Sequence, residues 1–381
     1  MSPAGTDGAG VVVVGGSVAG IRVARARREK GYTAPVCVVE AEPEVPYDKP
    51  PLSKGSLDGD VHVPLITRGE ADGLDITLLL GRRAERVDTA DSTVALDDGT
   101  VLPFEHLVLA TGLSPRRSPY AVDGVHVLRT LSDARDLRTA LAGARTALVI
   151  GAGFIGAEVA ALARGHGVAV TLVDPAPVPM ARVVGTALGE RFGDLHRRHG
   201  VDTRFGVRVV GLTGLPGRAG VADGTGHRAD LSDGTSLTVD VVVVGIGSSV
   251  NTAWLDGSGL PLDDGVVCDV HGTVIGHPQV HAVGDVARWA GDRVEHWTNA
   301  VDQAVCVAHT IVHPDAPQAL VAPAYVWSDQ YDWRIQLVGT RDPEVEPEVV
   351  QEVEPFRLLA VWRDRDGALT GGMAVNWPRE S

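Results

Sequence analysis

Short apolar runs that end at a glycine recur along this chain and predict alternating strands and helices. The first run, Val11–Val14, contains four β-branched residues, which is typical of a short buried strand. A helix begins near Val18, and the turn into it is formed by the small residues Gly15, Ser17 and Gly20. The run Cys37–Glu40 predicts the next strand, so this part of the chain has the pattern of a βαβ unit.

The same pattern recurs 136 residues later. A strand over Thr146–Ile150 is followed by a complete G-x-G-x-x-G, formed by Gly151, Gly153 and Gly156. Such turns direct the N–H groups of a helix N-terminus toward a pyrophosphate, and an acid after the next strand bonds the ribose hydroxyls. Glu40 lies 20 residues after the first turn, and Asp174 lies 18 residues after the second. The doubling predicts two dinucleotide sites.

The rest of the chain carries weaker signals of the same kind. Apolar or alternating runs predict strands at 76–80, 93–97, Leu107–Gly112, Val239–Gly247, Gln279–Trp289, 335–339, 357–362 and 368–375. Helical spacing predicts helices at 133–142 and Glu295–Ile311, and the prolines of Pro43–Lys54 predict a rigid extended loop. We expect an α/β protein of three domains: residues 1–114 with 246–316, residues 115–245, and a small α/β domain over 317–381.

Composition narrows the class of protein. The three cysteines are far apart and form no C-x-x-C pair, which argues against a redox disulfide or a cysteine-rich metal site. The formal net charge of −15 argues against nucleic acid as a partner. We expect no metal site, because the histidines lack the spacing of metal ligands. The N-terminal residues do not resemble a signal peptide, and no apolar run reaches the ~18 residues of a membrane span. A cytoplasmic protein is the expectation.

Lysine is rare in this chain, and its positions are informative. It occurs only at Lys30, Lys49 and Lys54, whereas every other basic residue except histidine is arginine. Two of the three lie in the proline-rich loop. We interpret Lys54 as a functional residue, with a solvated surface lysine as the alternative. Asp285, which follows a predicted strand, can bond the ribityl chain of a flavin or simply cap a helix.

Taken together, these motifs resemble a known family. The two fingerprints, the strand ending in Ala110-Thr111-Gly112 and the strand ending in Gly284-Asp285 resemble two-dinucleotide flavoproteins of glutathione-reductase-like fold, with two Rossmann-like domains. Within that superfamily, the stretches PYDKPPLSK, EHWTNA and WSDQYDWRIQLVG are similar to the oxygenase-coupled NADH–ferredoxin reductases. The resemblance covers nearly the whole chain.

The resemblance implies FAD and NADH as cofactors. It places FAD on residues 1–114 with 246–316 and NADH on 115–245. The residues implied for the adenosine half of FAD are Gly15, Ser17, Gly20 and Glu40, and those for its pyrophosphate, ribityl or isoalloxazine parts are Lys54, Arg129, Asp285 and Trp297. The residues implied for NADH are Gly151, Gly153, Gly156 and Asp174, with Glu158, Gly247 and Glu295 near the nicotinamide. The family usually has Glu where this chain has the shorter Asp174, followed by Pro175.

The implied activity is electron transfer from NADH through FAD to a 2Fe–2S ferredoxin that serves an oxygenase such as a cytochrome P450. An NADH oxidase or a reductase of rubredoxin or another acceptor is the alternative, and a redox-sensing interaction protein is a second. A monomer or weak homodimer is expected. We expect Lys54 and Glu158 to be the catalytic residues and to form an ion pair. We also expect arginines near Trp327 and Trp333 to form a basic patch that receives the ferredoxin.

Overall fold

The computed structural model describes residues 10–54, 61–216, 225–320, 322–342, 345–353 and 356–377. The chain forms two compact units. The first unit comprises Met1–Asp48, His62–Ser114 and Ser249–Ala324, and the second comprises Lys49–Val61, Pro115–Ser248 and Tyr325–Ser381.

The helices within the described residues are α1 (Val18–Glu29), α2 (Arg68–Gly73), α3 (Leu131–Ala142), α4 (Phe154–Gly165), α5 (Ala181–Arg198) and α6 (Trp297–Val312). The strands within the same ranges are β1 (Gly10–Val14), β2 (Val36–Glu40), β3 (Ile76–Leu80), β4 (Ala84–Asp88), β5 (Thr93–Leu96), β6 (Val101–Leu109), β7 (Leu113–Pro115), β8 (Val125–His126), β9 (Thr146–Ile150), β10 (Ala169–Asp174), β11 (Asp202–Phe205), β12 (Val209–Pro216), β13 (Thr225–Leu231), β14 (Ser236–Val239), β15 (Val241–Val244), β16 (Ser248–Val250), β17 (Val266–Cys268), β18 (Thr273–Val274), β19 (His277–Ala282), β20 (Ala287–Trp289), β21 (Tyr325–Gln330), β22 (Trp333–Gly339), β23 (Glu348–Val353), β24 (Arg357–Arg363) and β25 (Leu369–Val375). None of these helices is long and apolar enough to cross a membrane.

The first unit is organised around a sheet in the order β20-β17-β18-β19-β6-β1-β2-β3. Strand β1 lies between β2 and β6 and runs parallel to both. Its valines are almost completely buried, as expected for a central parallel strand covered on both faces. Helices α1 and α6 pack against each other. The parallel arrangement brings the carboxyl ends of β1, β2 and β6 to one edge, where ligands bind in such sheets.

The second unit repeats this arrangement with fewer strands. Its parallel sheet has the order β11-β10-β9-β15-β8, and a three-stranded antiparallel sheet, β12-β13-β14, shares a core with it. Strand β9 lies between β10 and β15. The predicted strand Val239–Gly247 is confirmed only over β15. Asp240, just before β15, accepts hydrogen bonds from the backbone N–H groups of Arg145 and Thr146.

The C-terminal part of the second unit is an antiparallel sheet in the order β21-β22-β25-β24-β23. Helix α5 covers one face, and Phe192 meets Trp333 edge to face with ring centroids 5.3 Å apart. The expected small α/β domain therefore takes its strands from the C-terminal segment and its helix from earlier in the chain. Trp333, beside which the basic patch of arginines is expected, belongs to the hydrophobic core of this part. Trp333 and Ile335 are two residues apart on β22 and share its buried face, and only 6 % of Trp333 is exposed.

Most predicted elements are confirmed with shifted ends. Helix 133–142 begins earlier, at Leu131, because Thr130 and Asp133 form a capping box. The strand expected at Leu107–Gly112 begins at Val101, where it pairs with β5 in a hairpin, and it ends at Leu109. The proline-rich loop before Lys54 contains one 3₁₀ turn, at Pro50–Leu52.

Candidate functional site

The first glycine turn can be built only from glycine at its two ends. Gly15 has a φ of 109°, and a Cβ there would lie 2.2 Å from the carbonyl oxygen of Ala110. A Cβ on Gly20 would lie 1.9 Å from the carbonyl oxygen of Gly15. Strand β6, the turn and the first residues of α1 are therefore in direct backbone contact. Any side chain at these positions would push the helix N-terminus away from the sheet edge.

Glu40 stands at the carboxyl end of β2 and faces this turn. Its carboxylate accepts hydrogen bonds from the backbone N–H groups of Gly16 at 2.6 Å and Glu42 at 2.9 Å. Within the described residues, the side chain of Ser17, the N-cap residue of α1, makes no capping hydrogen bond. The N–H groups at the start of this helix are therefore left for a ligand, and they favour a negatively charged one.

The second turn has the same construction. Gly151 has a φ of 103°, and a Cβ there would lie 2.2 Å from the carbonyl oxygen of Gly245. A Cβ on Gly156 would lie 1.9 Å from the carbonyl oxygen of Gly151. Gly153 differs, because it is exposed and a Cβ on it would meet no described atom within 4 Å. That open space leaves room for a phosphate against the backbone.

Asp174 occupies the place in the second unit that Glu40 has in the first. It ends β10, and its carboxylate accepts the N–H groups of Ala152 and Ala176, each at 2.7 Å. The shorter side chain therefore still reaches the turn. Both turns thus have the close backbone approach, the open helix N-terminus and the acid that a dinucleotide requires, and the residues present fit FAD and NAD(H).

Within the second unit, the predicted pairing of Lys54 with Glu158 is confirmed. The Lys54 Nζ donates to Oε1 of Glu158, and Ser53 Oγ donates to Oε2. A third donor, Ser328 Oγ on β21, lies 2.6 Å from Oε1. The Glu158 side chain is 4 % exposed and the Lys54 side chain is 19 % exposed, so the pair lies mostly out of solvent.

The remaining predicted residues are distributed over the two units. In the first, Trp297 begins α6 and its indole N–H donates to Asp48 at 2.7 Å. Asp285 lies in the 3₁₀ turn after β19, and Glu295 is exposed and pairs with Arg293. In the second, the carbonyl oxygen of Arg129 accepts from Lys49 Nζ at 3.5 Å. Gly247 follows β15 with a φ of 101°.

Sequence reasoning missed three polar partners in these arrangements: Asp48, Ser53 and Ser328. Asp48 and Ser53 lie in the proline-rich loop already singled out for Lys54, so proximity along the chain was an available signal. Ser328 is distant in sequence from both Lys54 and Glu158. Only the packing of β21 beside α4 brings it to the carboxylate.

The cysteines have no part in these arrangements. Cys37, Cys268 and Cys306 are buried and unpaired. Burial raises the pKa of the Cys37 thiol to about 12, and it has the same effect on the pKa of Cys268. Because the thiolate is the reactive form, these side chains are unsuited to disulfide exchange.

Comparison with known proteins assigns the chain to a family. Residues 9–304 match the pyridine nucleotide-disulphide oxidoreductase model, and residues 325–381 match a reductase C-terminal model. The chain belongs to the pyridine nucleotide-disulphide oxidoreductase family. As a member of that family it is an FAD-dependent oxidoreductase that uses NAD(H). It lacks the C-x-x-C pair that a dithiol mechanism would use, although the family is named for disulphide substrates.

Relatives in this oxidoreductase family align along nearly the whole chain. The ferredoxin–NAD(+) reductase component of the p-cumate 2,3-dioxygenase system of Pseudomonas putida is 34% identical, covering 99% of this chain and 92% of the relative. Rhodocoxin reductase of Rhodococcus erythropolis is 34% identical, covering 97% and 87%. A ferredoxin reductase from Rhodopseudomonas palustris has a TM-score of 0.90 at 31% identity, covering 97% of this chain and 91% of that structure.

Proposed function

We propose that this protein is an NADH:ferredoxin reductase. It takes a hydride from NADH onto FAD and passes single electrons to a 2Fe–2S ferredoxin that serves an oxygenase such as a cytochrome P450. The proposal is supported by relatives along nearly the whole chain that are named as ferredoxin reductases of dioxygenase systems. One solved relative, with a TM-score of 0.89 at 31% identity, is a covalent complex of putidaredoxin reductase with putidaredoxin.

The two turns supply binding and orientation. Gly15, Ser17, Gly20 and Glu40 would hold the adenosine half of FAD, with Asp285, Trp297, Arg129 and Lys54 toward its other end. Gly151, Gly153, Gly156 and Asp174 would hold NADH, with Gly247 and Glu295 near the nicotinamide. FAD, when bound, accepts a hydride and releases electrons one at a time, which protein side chains cannot do.

Lys54 and Glu158 would tune that chemistry. An ammonium group near the flavin ring stabilises negative charge that develops there, provided that it is held in place. Glu158, which is almost completely buried, holds the Lys54 ammonium group in an ion pair. This ion pair on a dinucleotide-binding helix is the observation that carries the assignment of Lys54 and Glu158 as the catalytic residues.

The names of the relatives favour a ferredoxin over other electron acceptors, so the acceptor is the point to test. The purified protein should be yellow, release FAD on heating and bleach with anaerobic NADH. It should then reduce cytochrome c rapidly only when a 2Fe–2S ferredoxin is added. Hydrogen peroxide formation that matches NADH consumption, with no stimulation by any ferredoxin, would instead identify an NADH oxidase. We further expect a cytoplasmic monomer or weak homodimer.

A further inference from the structure

The buried carboxylate of Glu158 has a third donor that belongs to the C-terminal sheet. Ser328 lies on β21 and is completely buried, as is Gln330 two residues later on the same face of the strand. The Ser328 hydroxyl lies 2.6 Å from Glu158 Oε1, the same oxygen that accepts from Lys54. The Gln330 Nε2 lies 3.3 Å from Ser328 Oγ.

Hydrogen-bond chemistry fixes the direction of this chain of contacts. The Glu158 carboxylate, which pairs with the Lys54 ammonium group, only accepts hydrogen bonds, so the single proton of the Ser328 hydroxyl must point to it. Ser328 then has only lone pairs left for Gln330, which must therefore present its amide N–H₂ group. With the amide reversed, two oxygens would face each other. Gln330 in this way orients Ser328, and Ser328 orients Glu158.

The arrangement is costly, which indicates that it serves a purpose. The Gln330 Oε1 is buried with no described hydrogen-bond partner once the N–H₂ group is committed to Ser328. A buried unsatisfied carbonyl is destabilising, and an apolar residue at 330 would avoid the loss. Ser53, which is 5 % exposed, donates to the other carboxylate oxygen, so both oxygens of Glu158 are fixed.

We propose that Ser328, oriented by Gln330, is a positioning residue for the Lys54–Glu158 pair. The C-terminal sheet thereby takes part in setting where the ammonium group of Lys54 stands when FAD and NADH are bound. The importance of that position for hydride transfer rests on the proposed function. The positioning itself does not depend on which protein accepts the electrons.

The scarcity of lysine allows the position of Lys54 to be observed directly. In FAD-loaded protein labelled with ¹³C at lysine Cε, only Lys30, Lys49 and Lys54 give signals, and Lys54→Met identifies the third. We expect the Lys54 methylene protons to be inequivalent and their signal broad, as for an immobilised side chain. In Ser328→Ala this signal should sharpen toward that of a solvated lysine.

Kinetics provide the second readout. Stopped-flow reduction by NADH should slow about tenfold in Ser328→Ala, with KM for NADH changed by less than about twofold, since a misplaced group affects the chemical step. Gln330→Leu, which keeps the hydroxyl but removes its orienting amide, should act in the same direction and less strongly. The Gln330→Leu variant still tests the proposal if Ser328→Ala does not fold.

Ser258→Ala is the matched control, because it removes a buried hydroxyl from the first unit that lies 3.3 Å from the backbone N–H of Leu260. It should change neither readout. Unchanged Lys54 signals and unchanged reduction rates in both Ser328→Ala and Gln330→Leu would overturn the proposal, and so would equal changes in Ser258→Ala. Failure of every ferredoxin to stimulate activity would refute the proposed function and leave the Lys54 signal as a valid test.

Discussion

The two glycine turns share a backbone design but differ seven residues after their first glycine. In both turns, a Cβ added to the last glycine would lie 1.9 Å from the carbonyl oxygen of the first glycine. At the compared position α1 has Arg22, whose side chain is 39 % exposed, and α4 has Glu158, which is 4 % exposed. Arg22 pairs loosely with Glu29 at 3.8 Å on the surface, whereas Glu158 accepts three donors. The two turns thus share a backbone scaffold, and the helix after the second carries a buried carboxylate where the helix after the first carries an exposed arginine.

The largest expected effect would come from breaking the shared scaffold. Gly20→Ala should yield protein with at least about tenfold less FAD, because the new Cβ overlaps a backbone oxygen that cannot move without displacing α1. Gly156→Ala should retain FAD and lose NADH binding instead. The flavin-to-protein absorbance ratio and the KM for NADH measure the two outcomes.

Gly69→Ala provides the control for these variants, since a Cβ there meets no described atom within 4 Å. It should behave as the wild type in both measurements. Normal flavin content in Gly20→Ala would show that the first turn does not hold the FAD.

Changing the residues that distinguish the two helices should give the next largest effect. Lys54→Met should keep its FAD and be reduced by NADH about a hundredfold more slowly, the usual loss when a positioned electrostatic donor is removed. Glu158→Gln should slow reduction less, because the amide still accepts from Lys54. Arg22→Gln should change the rate less than about twofold, as expected of an exposed pair. Unchanged stopped-flow rates in both Lys54→Met and Glu158→Gln would contradict the assigned roles.

The predictable part of this site is the part encoded locally. The turns were found from sequence because tight backbone contact admits only glycine, as at Gly15 and Gly151, and because the acids follow at a regular distance. The pairing of Lys54 with Glu158 is a hypothesis that follows from the place of Glu158, two residues after the third glycine on the second helix. Ser328 was not found, since its approach to Glu158 depends on the packing of β21 beside α4, which leaves no periodic signal. The burial of Trp333 was likewise not predictable, because aromatic content does not reveal which face of a strand is buried.

The acid that ends β10, Asp174, should determine which coenzyme the second turn prefers. Asp174 should favour NADH over NADPH by about tenfold or more in kcat/KM, because its carboxylate bonds ribose hydroxyls and repels a 2′-phosphate. The guanidinium of Arg164, a nearby positive charge, is already hydrogen-bonded to the carbonyl oxygens of His199 and Val168. Asp174→Asn should lower the ratio of kcat/KM for NADH to kcat/KM for NADPH severalfold. A wild-type ratio at or below one would show that the charge argument is wrong.

The smallest effect concerns which unit a ferredoxin approaches. Small ferredoxins are generally acidic and this chain carries a net charge of −15, so productive encounter requires a local basic surface. The candidates in the first unit are Arg82 and Arg83, and those in the second are Arg116, Arg117, Arg334 and Arg341. Two of them are partly committed, because Arg82 pairs with Asp98 at 2.7 Å and burial lowers the pKa of Arg341, whose Nη1 donates to backbone carbonyl oxygens. Arg83 and Arg334 are exposed and suit a matched pair of charge reversals.

Added salt and charge reversal should both weaken the encounter between the ferredoxin and this protein. Ferredoxin-dependent cytochrome c reduction should fall about two- to fivefold between ~0.05 and ~0.5 M salt, while NADH–ferricyanide activity should hardly change, because screening weakens the attraction between a local basic surface and an acidic ferredoxin. Arg334 projects from β22 beside β21, the strand that carries Ser328, so Arg334→Glu should lower the ferredoxin-dependent rate more than Arg83→Glu. The reverse order would place the docking surface on the first unit. Equal salt responses in the two assays would count against electron transfer to a ferredoxin, because docking on a basic surface should make the ferredoxin-dependent rate the more sensitive to salt.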